Sequence, residues 1–383
     1  MSTLSRKSPP ASTNKLKEVA LVFFKLGCFA FGGPAAHIAM MEDEIITKRK
    51  WMTREHFLDL IGATNLIPGP NSTEMTMHCG HERAGSKGLF VAGVAFIIPA
   101  VVITALLAYL YVSYGQLPEV APFLFGIKPA VLAIIASAIL KLGKKAIKTT
   151  DLIVLGILVL VAALVGVHEV VALLGAGVIG TLYFYLKSKT STTKTIILPF
   201  PILASSLLLK TPVINVFLTF LKVGAILYGS GYVLFAYLDA ELVTKGWLTR
   251  TELIDAIAVG QFTPGPVLST ATFIGYQLSG FGGALAATAG IFLPSFLFVL
   301  ILNPFVSKMR SSKILSYFLD TVNVAAVAVM LSVLITMSID TLTDWRAFVI
   351  AGISAFFIFS KWKISVMWLI AGGAILGYVL QLI

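Results

Sequence analysis

Charged residues are scarce in this chain: Asp, Glu, Lys and Arg make up 12% of 383 residues, against 57% hydrophobic ones, and mean hydropathy is +0.93. That balance excludes an ordinary water-soluble domain. Cysteine is also scarce. Cys28 and Cys79 both lie inside apolar stretches, where a thiol behaves as a small hydrophobe, so no structural disulfide is expected. The Ser/Pro/Lys-rich stretch 1–17 has no apolar core or small-residue cleavage site and reads as a cytoplasmic tail, not a signal peptide. Enzyme signatures are missing: there is no Walker A loop and no paired-histidine metalloprotease motif. The run from Gly175 to Gly180 fits a dinucleotide pattern, but no strand precedes it and no acidic residue follows at the required distance, so helix packing accounts for it. No enzyme activity, metal or cofactor is expected.

What the chain has in quantity is apolar runs about 20 residues long, the length a helix needs to cross a hydrocarbon core about 30 Å thick. They give an all-α, multi-pass membrane protein. Six segments fall in the first half, at 18–41, 56–79, 87–114, 122–142, 152–166 and 169–187. Six more fall at 213–237, 253–277, 283–305, 316–338, 345–360 and 364–382. The net charge of +11 comes from short groups of Lys and Arg between these segments, which fits membrane topology better than nucleic-acid binding.

The halves are repeats. Phe24-Lys25-Leu26-Gly27 matches Leu221-Lys222-Val223-Gly224 at an offset of 197 (222 − 25), and Trp51-Met52-Thr53-Arg54 matches Trp247-Leu248-Thr249-Arg250 at 196 (247 − 51). Asp59 then pairs with Asp255, Asn65 with Gln261, and Pro68-Gly69-Pro70 with Pro264-Gly265-Pro266. The organisation expected is a tail at 1–17, a repeat at 18–189, a linker at 190–212 and a second repeat at 213–383.

Loop charges orient the repeats oppositely. In the first half the third loop carries Gln116 and Glu119 with no Lys or Arg, and the fourth carries Lys141, Lys144, Lys145 and Lys148. In the second half Lys308, Arg310 and Lys313 fill the third loop, Asp340 and Asp344 face a single Arg346 in the fourth, and Lys361 and Lys363 lie in the fifth. Positive charge collects in cytoplasmic loops, so the repeats are expected to be inverted, as in secondary transporters. Six crossings per half then require a thirteenth, at Ile196 to Leu209. The alternative makes the second segment of each half re-entrant, with five crossings per half.

Pro-Gly-Pro inside the second segment of each half breaks a helix, because proline removes a donor and clashes with the preceding turn. The half-helices beginning at Asn71-Ser72 and Val267-Leu268 present N-termini, which suit an anion, and Asn71 and Glu74 stand at capping-box spacing. A plain kink for packing is the bland alternative. A second break, Phe31-Gly32-Gly33-Pro34, recurs at Tyr228-Gly229-Ser230-Gly231, and broken segments of this kind can face each other across the centre. Lys25 and Lys222 lie inside apolar segments, where an ammonium either serves a function or snorkels to the interface. Glu74 and His78, one helical turn apart, are candidates for proton coupling; the second half has Thr270 and Ile274 instead. The substrate-site candidates are thus Lys25, Gly32, Gly33, Asn65, Pro68, Gly69, Pro70, Asn71, Ser72, Lys222, Gly229, Gln261, Pro264, Gly265 and Pro266.

The chain resembles the chromate ion transporter family. The resemblance rests on Phe24-Lys25-Leu26-Gly27, Phe31-Gly32-Gly33, Glu42, Trp51-Met52-Thr53, Phe57-Leu58-Asp59, Asn65, Pro68-Gly69-Pro70, Pro99 and Lys128-Pro129-Ala130-Val131. Trp247-Leu248-Thr249, Gln261, Pro264-Gly265-Pro266 and Pro294 repeat the succession. It implies export of chromate, a sulfate-like dianion, by a two-domain protein of the inner (plasma) membrane. Two departures, the polar Asn71-Ser72-Thr73-Glu74 and the sequence Gly229-Ser230-Gly231, keep sulfate or another tetrahedral oxyanion as an alternative cargo, and an anion channel as an alternative mechanism. The partners expected are an oxyanion and the lipid bilayer, without nucleic acid; a homodimer is compatible with such a chain.

Overall fold

The computed structural model describes residues 12–31, 33–64, 67–115, 117–188, 213–228, 231–302, 312–360, 362 and 364–383. Among them every regular element is helical. The first half runs α1 (Ser12–Phe29), α2 (Pro34–Met41) continued by a π-helical turn (Glu42–Lys48), α3 (Arg54–Thr64), α4 (Asn71–Tyr114), α5 (Ala121–Ala146), α6 (Thr150–Leu164) and α7 (Glu169–Lys187). The second half repeats the order. It runs α8 (Val213–Ile226), α9 (Leu234–Leu238) with a π-helical turn (Asp239–Val243), α10 (Arg250–Phe262), a 3₁₀ turn (Val267–Ser269) leading into α11 (Thr270–Leu302), α12 (Lys313–Thr341), α13 (Trp345–Phe359) and α14 (Val366–Gln381).

Among the described residues five stretches are long and apolar enough to cross a membrane: Asn71–Tyr114, Ala121–Ala146, Glu169–Lys187, Val267–Ile301 and Lys313–Thr341. Their outward faces carry exposed apolar side chains such as Val102, Leu106 and Phe281, a surface suited to lipid tails and not to water.

Neither of the two longest helices is one straight rod. At Ala84–Gly85 and again at Ser279–Gly280 the backbone leaves the helical region, with φ of 66° at Gly85 and 60° at Gly280. Such values suit glycine, which lacks the Cβ that makes positive φ costly. Gly80 then lies against the carbonyl of Gly88, and Gly275 against that of Gly283. Residues eight apart in a continuous helix would be separated by about 12 Å, so the chain reverses at each kink.

The reading of the first two segments of the first half as crossings is corrected by where their ends lie. In the first half Glu18, near the start of α1, accepts hydrogen bonds from Arg49, Trp51 and Arg83 at 2.7 to 3.2 Å. One carboxylate therefore gathers the start of α1, the end of the π-helical turn and the end of the first part of α4. α1 with α2, and α3 with the start of α4, are two hairpins that return the chain to the end it left. Burial raises the pKa of Glu18, but hydrogen bonds from Arg83, Trp51 and Arg49 outweigh it and hold the carboxyl below its ordinary value.

The halves interlock. α1 packs on α4 and α8 on α11, and α4 packs on α11 at the centre. On the outside α5 packs against α13 and α14, while α12 packs against α6 and α7, so each half completes the other. The apolar run Ile196 to Leu209, expected as an extra crossing, lies outside the described residues.

Candidate functional site

The helix breaks meet in the middle of the molecule. Gly69, with φ 140°, donates its backbone N–H to the carbonyl of Leu227 at 2.7 Å, at the break after α8. Gly265, with φ 88°, donates to the carbonyl of Ala30 at 2.9 Å, at the break after α1. Each Pro-Gly-Pro turn is thus held by the other repeat, and the two bonds are counterparts under the sequence offset. A Cβ on Gly33 would touch the Tyr232 hydroxyl, and one on Gly231 would touch Val267 and Leu268. Pro68, Gly69, Pro70, Pro264, Gly265 and Pro266 are all buried.

Side chains make the two turns unlike. At the first turn Glu74 is fully buried, and a Cβ on Gly69 would overlap both its Oε1 and the hydroxyl of Ser295 from α11. Ser295 faces the carboxyl, yet no hydrogen bond of normal geometry closes on either Glu74 oxygen. Tyr228, at the end of α8, lies within electrostatic reach of Glu74. At the second turn Ala100 stands in the place of Ser295 and Thr270 in the place of Glu74, with Thr270 Oγ1 donating to the carbonyl of Val267 at 2.8 Å. Beside it Thr104 from α4 donates towards Ser269 at 3.3 Å and Thr263 at 3.5 Å. His37 Nε2 bonds the Ala30 carbonyl at 3.0 Å, and its ring meets Phe96 edge-on.

The other sequence candidates are placed as follows. The expected capping box at Asn71 and Glu74 does not form, because α4 is capped by Pro70 with no side-chain bond, and Glu74 turns towards Gly69 instead. Ser72 is buried and Asn71 half-buried at the first turn, and His78 lies buried one turn beyond Glu74. Gln261 is half-buried ahead of the second turn, with Nε2 unpartnered. Lys25 is exposed on α1. Lys222 is exposed on α8 and meets Glu241 at 2.5 Å. Gly32, Asn65 and Gly229 lie outside the described residues.

Sequence reasoning missed several groups. Glu241, on the π-helical turn after α9, is buried between Lys222 and Lys245, and Glu44 occupies the matching place between Lys48 and Arg49. The offset of 197 links Glu44 to Glu241 and was a usable signal. Asp255, on α10, accepts from Tyr111 at 2.8 Å and lies 3.7 Å from Lys128, beside a cavity of about 260 Å³ lined otherwise by apolar residues of α4, α5, α10 and α14. No group of three or more His, Cys, Asp or Glu among the described residues forms a metal site. Cys28 and Cys79 are unbonded.

A family described as chromate transporter matches the chain twice, over residues 17–181 and 214–378. The chain is 30% identical over 379 residues to the chromate transport protein of Cupriavidus metallidurans, covering 96% of this chain and 94% of that one. It is 29% identical over 359 residues to the probable chromate transport protein of Synechococcus elongatus, with 91% of each chain covered. With the chromate transport protein of Pseudomonas aeruginosa it shares 28% identity over 378 residues, covering 93% and 90%. No solved structure matches. With both halves matched, the chain belongs to the chromate transporter family, a family of membrane transporters and not of enzymes.

Proposed function

We propose that this protein is a secondary carrier that exports chromate, or a similar tetrahedral oxyanion, across the plasma membrane. The observation that carries this reading is the reciprocal pair of bonds from Gly69 to Leu227 and from Gly265 to Ala30, which brings broken-helix termini of both repeats to one place. Half-helix N-termini offer N–H groups and partial positive charge to an anion where water is absent. The names of the relatives supply the cargo.

Carriers of this kind place the site between repeats of opposite orientation. Two contacts support that orientation here. His56, at the start of α3, meets Glu82 just before the kink of α4, whereas Asp255, near the start of α10, meets Tyr111 at the far end of α4. α3 and α10 are counterparts, yet they begin at opposite ends of a helix segment about 39 Å long at about 1.5 Å per residue. The loop charges point the same way. On this reading the repeats span 18–189 and 213–383.

A membrane potential contributes about 2.3 kcal/mol per charge per 100 mV. A dianion leaving an inside-negative cell gains roughly 4.6 kcal/mol at about 100 mV, on the order of a thousandfold gradient at about 1.4 kcal/mol per tenfold ratio. Glu74 and His78 are the groups best placed to add proton coupling.

The test is uptake of labelled chromate and sulfate into everted vesicles under imposed potentials and pH gradients. Saturable uptake accelerated by chromate on the far side is expected. Flux without saturation or trans-stimulation would show a channel, and no flux of either anion would remove the reading.

A further inference from the structure

Glu74 needs an explanation that packing does not give. Burying a carboxylate is costly unless a cation or several donors compensate it. Among the described residues no Lys or Arg forms an ion pair with it, and neither oxygen closes a hydrogen bond of normal geometry. The surrounding elements do not supply a charge. α1 turns Lys25 outward and ties Glu18 to Arg83; α3 exposes Asp59, pairs Arg54 with Glu42 and His56 with Glu82. α2 commits His37 to the Ala30 carbonyl, α11 presents the unpartnered hydroxyl of Ser295, and α8 presents Tyr228. On its own helix the next titratable group is His78, one turn away.

The position is as telling as the isolation. The carboxyl lies in the first turn of α4, pressed against Gly69 in the Pro-Gly-Pro turn, at the junction where the first repeat bonds to Leu227 of the second. Two carboxyl oxygens there have the charge and size of one edge of a tetrahedral oxyanion. The counterpart turn has Thr270 and Ala100, so among the described residues the two turns hold a single such group.

We propose that the Glu74 carboxyl occupies the place of the transported oxyanion at the first Pro-Gly-Pro turn, and that a dianion binds there only while Glu74 is protonated, which at alkaline pH requires it to take up a proton. Like charges repel strongly at a buried site, whereas the neutral acid can stay or swing aside without repelling the anion. Linkage then requires the reverse as well: anion binding takes up one proton on Glu74. No bond other than that O–H forms or breaks. The inference rests on the oxyanion reading above and couples one proton to each anion, so that one net negative charge crosses and the potential contributes about 2.3 kcal/mol at about 100 mV, half of what a bare dianion would gain.

The test measures chromate binding to the purified full chain across neutral to alkaline pH, with concentrations expressed as the dianion. For the wild type, affinity should weaken by up to about tenfold per pH unit, as one linked proton demands. Glu74→Gln, which keeps the neutral shape, should bind chromate with an affinity independent of pH. As a readout that needs no variant, the infrared difference spectrum on adding chromate to the wild type should gain a protonated-carboxyl band. A flat wild-type profile, an unchanged slope in Glu74→Gln, or binding with no such band overturns the proposal while leaving the carrier reading intact. Absence of chromate binding by the wild type removes the carrier reading itself, and the inference with it.

Discussion

The N–H of Gly69 in the first repeat reaches the carbonyl of Leu227 in the second at 2.7 Å, and the Gly265 to Ala30 bond repeats the arrangement with the halves exchanged. A turn whose backbone is held by the opposite repeat cannot shift unless the repeats shift together. On the proposed reading these two bonds must break or re-form when the halves move relative to one another, a motion that a carrier needs and a fixed pore does not. Both glycines have positive φ, and at Gly69 a Cβ would also collide with Glu74 and Ser295.

Gly69→Ala should therefore insert in the membrane but lose most chromate transport, more completely than Gly265→Ala, whose Cβ would meet only Ala100 and the carbonyls of Gly27 and Phe96 at 3.0 Å or more. Backbone strain at such positions is worth about 1–3 kcal/mol. Initial rates at equal membrane abundance decide it, and equal rates in Gly69→Ala and wild type would dissociate the turn from transport.

The proposed opposite orientation of the repeats makes a labelling prediction. Single cysteines replacing Lys48 and Lys144 should be reached by an impermeant thiol reagent from the cytoplasm, and those replacing Lys245 and Asp344 from the other side. Lys48 and Lys245 are counterparts, each four residues after a buried glutamate, Glu44 and Glu241. Labelling of both from the same side would leave the halves parallel.

Much of this architecture is legible in the sequence because its signals are local. Apolar runs fix the helices, Pro-Gly-Pro fixes the breaks, and the offset of 196 to 197 residues fixes the repeat. The reversals at Gly85 and Gly280 fall in the breaks read between the second and third segments of each half, 79 to 87 and 277 to 283. What is not legible is that in the first half the two segments before the break each return to the end they left, because the Glu18 contacts that show it join residues 31 to 65 positions apart. Partner choice is harder still: Lys222 signals a buried charge needing a counter-charge, but nothing local says that Glu241, 19 residues on, supplies it. Ser295 carries no sequence signal, because a lone serine in an apolar helix is ordinary.

The Lys222 pairing changes what its substitution should do. Glu241 is buried while Lys222 and Lys245 are each about two-fifths exposed, so removing either lysine leaves the other on the carboxylate. Lys222→Gln should cost at most about 1 kcal/mol of stability. The double variant Lys222→Gln with Lys245→Gln leaves Glu241, among the described residues, facing His168 alone at 4.0 Å and should cost about 3–5 kcal/mol. Thermal unfolding in detergent measures both. An uptake curve for the single variant separates the roles: unchanged apparent affinity for chromate assigns Lys222 to Glu241, and weakened affinity at unchanged stability assigns it to the anion.

The contact of Tyr111 and Lys128 with Asp255 joins α4 and α5 of one repeat to α10 of the other, nine residues before Pro264. Asp255 is buried, one of its oxygens is unpartnered, and the neighbouring cavity offers no other polar side chain than Tyr111. Removing Lys128 as Lys128→Met should therefore leave an uncompensated carboxylate and destabilise the protein by about 3–5 kcal/mol, whereas Tyr111→Phe, which deletes one donor, should cost about 1–3 kcal/mol. Combining either with Asp255→Leu should recover most of the loss, because the group left without a partner is then gone and the leucine meets an apolar wall. Thermal unfolding of the two double-mutant cycles measures the coupling. Additive losses would show that the three side chains do not act together, and that α10 is held to α4 and α5 by apolar packing alone.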